Sequence, residues 1–163
     1  MVTGCIVINS TDRDVAIYSG NMDLTPDLIN QFVAETFPLT TRAGFSCTEL
    51  GDGTATARLA FDPDNVRPGG IVPGPAVFGV ADISLWYAIF TKVGFEPMAV
   101  TSDLTIHFLR PAIGAALLAR CTLTKVGKRL AHGEIRVWEE DGDPNRLVAF
   151  ASGAYALPEA MER

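Results

Sequence analysis

RPGGIVPGPAVFGVADISLWYAIF, residues 67–90, sets glycines and prolines ahead of a nearly continuous apolar run that holds a single charge, Asp82. From Pro75 to about Lys92 the sequence has no strand alternation, proline stands at its start, and Gly94 follows its end. That punctuation predicts one long helix, apolar on nearly every side and therefore buried. The positions three and four away from Asp82 are Phe78, Gly79, Leu85 and Trp86, so its carboxylate emerges among apolar groups. A carboxylate there has to be hydrogen-bonded, paired or functional, because burying it bare is costly or shifts its pKa upward. Position alone leaves two readings open, a tether to a neighbouring element and an active carboxylate.

The start of the same helix adds a second feature. Gly70, Gly74 and the flanking prolines permit close backbone approach, and the unpaired N–H groups of a first helical turn can receive an anion or a developing oxyanion. Pro75 has no N–H, which leaves Gly74, Ala76 and Val77 as candidate donors. A helix led by proline after a turn also occurs with no functional role.

Outward from this stretch, TPDLINQFVAETF begins with Thr25 as an N-cap and Pro26 at the first helical position, and it places Leu28, Phe32 and Val33 at helical spacing. GFSCTEL and TATARLAF are strand-like and meet at Gly51-Asp52-Gly53, a β-hairpin. Cys5–Asn9 and Val15–Ser19 read as a small hairpin or a loosely attached arm. After Pro97 come MAVTSDLTIHFL, ALLARCTLTKV, RLAHGEIRVWEE and RLVAFASGAYAL, with a turn at EEDGDPN between the last two. In the first of these, Val100, Leu104, Ile106 and Phe108 alternate with Thr101, Asp103, Thr105 and His107, which puts Thr101 on the polar face. The expected fold is α+β, an antiparallel sheet of five to six strands in a meander, wrapped around one long central helix.

Composition narrows the function. The 163 residues fit one domain, and 48% hydrophobic residues give it a sizeable core. The net charge of -6 is scattered, without a basic block, which disfavours nucleic acid as a partner. Cys5, Cys47 and Cys121 are an odd number without C-x-x-C spacing and suit reduced core thiols of a cytoplasmic protein. No basic and then apolar leader opens the chain, and the run from Pro75 to Phe90, which contains Asp82, is short for a membrane span. G-x-S-x-G, G-x-x-x-x-G-K-[ST] and a dinucleotide-type glycine motif are lacking. His107 and His132 stand on separate strands without ligand-spaced neighbours, so neither a metal nor another cofactor is expected.

RPGGIVPGPAVFGVAD, AVTSDLTIHFLRPA, TKVGKRLAHGEIRV and LVAFASGAYALP, in this order and spacing, resemble the PaaI-like acyl-CoA thioesterases of the hotdog-fold superfamily. The resemblance runs from about Met22 to Pro158; residues 1–21 are an extension outside it, and 22–163 the thioesterase-like domain. It implies a homodimer formed by edge-to-edge pairing of two sheets, often a dimer of dimers, with active sites at the subunit interface. It also implies an oxyanion donor at the Gly74 N–H, a general base or nucleophile at Asp82, and a partner-derived hydroxyl at Thr101. For the substrate, it implies that Arg67, Arg110, Lys128 and Arg129 receive coenzyme A. The family's His-Gly-Gly is altered here to Pro73-Gly74-Pro75, and Arg67 stands where some members carry an asparagine. The expected activity is hydrolysis of an acyl-CoA thioester, with a non-catalytic acyl-CoA-binding protein as the alternative. A hydratase would want an Asp–His pair near the helix, which is not visible.

Overall fold

The computed structural model describes residues 24–158; the expected N-terminal arm and Cys5 lie outside the described residues. In chain order the elements are α1 (Pro26–Thr36), α2 (Pro38–Arg42), β1 (Phe45–Gly51), β2 (Thr54–Ala60), α3 (Gly74–Val93), β3 (Val100–Phe108), β4 (Ala116–Val126), β5 (Leu130–Glu139) and β6 (Ala149–Ala156). The six strands form one antiparallel sheet in the order β1-β2-β4-β5-β6-β3, and α3 packs along its inner face. This is the hotdog arrangement that the sequence leads one to expect.

The helix entrances follow the capping signals. Thr25 Oγ1 accepts from the Leu28 N–H at 3.2 Å, and Pro26 occupies the first turn. The buried positions of α1 are Ile29, Phe32 and Val33, so Ile29 takes the place expected for Leu28. Asn30 then ties α1 to the sheet, because its amide donates to the Cys47 carbonyl at 2.9 Å and its oxygen accepts from the Cys47 N–H at 2.7 Å. The short helix α2, which opens on Pro38, was not anticipated.

Helix α3 begins at Gly74, one residue before the expected start, and stops where Gly94 takes a positive φ of 85°. Its length and mean hydropathy would suit a membrane span, yet every residue from Ser84 to Phe90 is buried inside this fold. It is the core helix. A glycine lets it lie close: a Cβ at Gly133 would come within 2.8 Å of both the Leu85 side chain and Cys121 Sγ. Burial pushes the Cys47 and Cys121 thiols up to about 12, so both are inert core residues.

Two expectations about the sheet change. The strands after Pro97 do not form a simple meander: β4, β5 and β6 do, but β3 crosses to the far edge and pairs with β6 alone. The alternation of β3 is also broken, because a bulge between Thr101 and Asp103 inserts Ser102 as an extra residue. One extra residue reverses the parity. Thr101 therefore pairs with Tyr155, whereas Leu104, Ile106 and Phe108 pair with Gly153, Ala151 and Ala149, so all four share the inner face. Val100, expected inward, is 59% exposed.

Candidate active site

Asp82 lies two turns into α3, half-buried, at the wall of a groove of about 580 Å³. The groove is apolar and aromatic, with Phe37 from the α1–α2 junction, Phe45 from β1, Ile83 and Trp86 from α3, and Val100 from β3. Gly79, one turn before Asp82, makes room for it: a Cβ there would meet the Phe45 ring at 3.1 Å. Trp86 closes the inner end and stacks edge-on against Phe37 and Phe90, with ring centroids 6.0 and 4.9 Å away.

Two hydroxyl groups reach the carboxylate, and both reach the same oxygen. Thr101 Oγ1 donates to Asp82 Oδ1 at 2.9 Å, and the Tyr155 hydroxyl donates to Oδ1 at 2.9 Å and lies 3.3 Å from the Asp82 carbonyl. Among the described residues no Lys, Arg or His is ion-paired with Asp82, and Oδ2 accepts no hydrogen bond. The β3 bulge makes this cluster by turning Thr101 inward beside Tyr155. Burial foremost, and then the Asp82 charge, push the Tyr155 phenol far above its ordinary pKa, so it stays protonated.

Gly74 is eight residues earlier on the helix, which is about 12 Å along its axis. The Ala76 and Val77 N–H groups turn back to the Pro73 carbonyl at 3.0 and 3.3 Å, whereas the Gly74 N–H donates to no main-chain acceptor among the described residues. Of the three candidate donors, Gly74 is thus the one left available. It lines a separate groove of about 400 Å³ with Arg67, Phe108, Leu109 and Arg110. Within one chain, then, the available N–H and the carboxylate open onto different depressions.

A sheet curled around a long central helix agrees with what known proteins show. A family profile described as the thioesterase superfamily matches residues 69–144. A provisionally named esterase of Pseudomonas aeruginosa is 31% identical over 116 residues, covering 70% of this chain and 83% of that protein. Among solved structures, a provisionally named thioesterase of Silicibacter sp. TM1040 is 33% identical with a TM-score of 0.73, covering 82% of this chain and 91% of that one. The chain belongs to the thioesterase superfamily. This thioesterase is a thioester hydrolase, and it also shares its fold with the PaaI protein of the E. coli phenylacetic acid degradation operon. That match has a TM-score of 0.69 at 21% identity, over 82% of this chain and 94% of the other.

Of the residues singled out in the thioesterase sequence, the structure brings Asp82 and Thr101 together and sets Gly74 apart. Arg110 already has partners. Its guanidinium donates to Glu139 Oε2 at 3.0 Å and to the Arg146 carbonyl at 2.8 Å, while Glu139 Oε1 accepts from the Ile113 N–H at 2.8 Å. Burial would raise the Glu139 pKa, but the Arg110 and Ile113 hydrogen bonds outweigh it and hold the carboxyl below its usual range. This cluster locks the loop after β3 to the turn after β5. Arg67 is exposed beside the Gly74 groove. Lys128 and Arg129 are exposed in the β4–β5 turn, at the end of the sheet where Leu130 pairs with Ala156 and Ala156 with Val100. Tyr155 is the site residue that sequence reasoning missed; in SGAYAL it reads as an ordinary strand aromatic among small residues.

Proposed function

We propose that the protein hydrolyses acyl-CoA thioesters to a carboxylic acid and free coenzyme A, with the acyl group in the apolar groove beside Asp82. Asp82 acts as general base. Its free oxygen takes a proton from water as the water oxygen adds to the thioester carbonyl, and the resulting oxyanion rests on the Gly74 N–H. Collapse of that intermediate expels the coenzyme A thiolate, a leaving group good enough to need no strong general acid. The observation that carries this reading is Asp82 itself, a carboxylate at the wall of an apolar groove with Oδ1 held by two hydroxyl groups and Oδ2 unengaged by any described residue.

The separation of about 12 Å between Gly74 and Asp82 on one helix calls for a second copy of the chain. β3 ends the sheet with its outer edge unpaired by any described strand. Antiparallel pairing of β3 with the same strand of a second copy, centred near Leu104, would set the Thr101 end of one strand across from the Phe108 end of the other. Gly74 packs toward Phe108: a Cβ on it would lie 3.5 Å from the Phe108 ring. Such a homodimer carries Gly74 of the partner subunit toward Asp82, and two dimers can associate further. Thr101 then serves Asp82 of its own chain. Lys128 and Arg129 on the Asp82 side, and Arg67 beside Gly74, are the cations for the coenzyme A phosphates; Arg110 holds its loop.

The test is to incubate purified protein with short, aromatic and long acyl-CoA thioesters and follow free thiol, alongside a binding measurement. Release of thiol and acid in equal amounts supports hydrolysis. Saturable binding with no thiol released from any of them would leave a non-catalytic acyl-CoA-binding protein.

A further inference from the structure

We infer that Tyr155 is a positioning residue for Asp82: its hydroxyl fixes Oδ1 of the carboxylate and leaves Oδ2 for the reacting water. The inference rests on Asp82 being the base. Tyr155 is 4% exposed, and its main chain is held on both sides, by Thr101 in β3 and by Ala131 in β5. A ring so held has little freedom, and its hydroxyl sits between two atoms of one residue, 2.9 Å from Oδ1 and 3.3 Å from the main-chain carbonyl. It therefore relates the carboxylate to the helix backbone and the helix to the sheet at a single point. Thr101 bonds the same oxygen from the edge strand, where within one chain it is exposed. With no cation bonded to Asp82, these two hydroxyl groups are its hydrogen-bond partners among the described residues.

The hydroxyl is a donor and not a proton-transfer group. Burial and the adjacent carboxylate keep the phenol protonated throughout the range in which a thioesterase would work. Donation from a buried O–H to an ionised carboxylate is charge-assisted and directional, so it sets the plane of the carboxyl group as well as favouring its ionised form. The other charged side chain on this segment, Asp103, lies beyond the bulge and pairs with Ala154.

The experiment compares wild type, Tyr155→Phe and Asp82→Asn for kcat, KM and the pH dependence of kcat/KM on an acyl-CoA thioester that the wild type hydrolyses. Loss of the phenol oxygen is expected to lower kcat by roughly tenfold to a hundredfold with KM little changed. The acidic limb of kcat/KM should move to higher pH, because one hydrogen bond to the charged carboxylate is lost. A second substitution keeps the fold out of question. Site-specific 3,5-difluorotyrosine at position 155 retains the ring and hydroxyl but donates more strongly, and it should move the limb to lower pH. If Tyr155→Phe and the fluorinated residue leave kcat and the limb as in wild type while Asp82→Asn is inactive, the positioning role is overturned and the base stands. Wild-type turnover by Asp82→Asn would instead overturn the base.

Discussion

Tyr87 and Tyr155 are both buried tyrosines of the same core, one on α3 and one on β6, and they differ in what their oxygens meet. Tyr87 is 0% exposed, and its hydroxyl has no hydrogen-bond partner among the described residues. The Tyr155 hydroxyl is bonded to a carboxylate that opens onto a groove. Burial is the main cause that pushes both phenols upward; the secondary cause is Cys47 for Tyr87 and the Asp82 charge for Tyr155. A buried polar atom is thus not by itself the mark of a site. The mark is a buried donor joined to a group that reaches a cavity, because only that pairing passes orientation from the core to a ligand.

Each of three substitutions tests this contrast. Asp82→Leu should bring Tyr155 closer to the state of Tyr87, leaving its hydroxyl with the 3.3 Å contact to the residue-82 carbonyl and the neighbouring Thr101 hydroxyl. Thiol release should vanish, and urea unfolding should show a loss of about 1 kcal/mol from the weakened hydroxyl. Thr101→Val removes the exposed donor while Tyr155 keeps the buried one. Its kcat should fall by roughly threefold to tenfold, less than for Tyr155→Phe, since an exposed hydrogen bond contributes less than a buried charge-assisted one. Equal losses in the two variants would mean that burial gives Tyr155 no special part. Tyr87→Phe deletes an oxygen that bonds none of the described residues. Activity should match wild type, and the thermal midpoint should stay the same or rise, by at most about 1 kcal/mol of stability. A drop in kcat there would break the contrast from the other side.

The central helix was legible because glycine, proline and an unbroken apolar run act locally: Gly94 stops α3 through its own positive φ, and no distant residue is needed to see it. Asp82 was legible for the same reason, as a charge with apolar neighbours one turn away on either side. Thr101 was placed on the wrong face because Ser102 is an extra residue, and nothing in TSDLT announces a bulge that only pairing with β6 reveals. Tyr155 could not be found from its own neighbours at all. Its meaning comes from β3 crossing the sheet to lie beside β6, which brings residues far apart in sequence into one cluster. The resemblance implied Arg110 as a cation for the substrate; Glu139 and the Arg146 carbonyl, which only the fold brings to it, engage its guanidinium.

Asp82→Asn isolates the part that the carboxylate plays as base. The amide oxygen can still accept from Thr101 and Tyr155, so the fold, the groove and any dimer are preserved while the proton acceptor is lost. If acyl-CoA thioesters are the substrates, thiol release from them should fall by about a hundredfold or more, the scale of a general base, in a protein with wild-type unfolding and oligomeric state. Turnover at the wild-type rate in that same folded variant would contradict the assignment of Asp82 as the base.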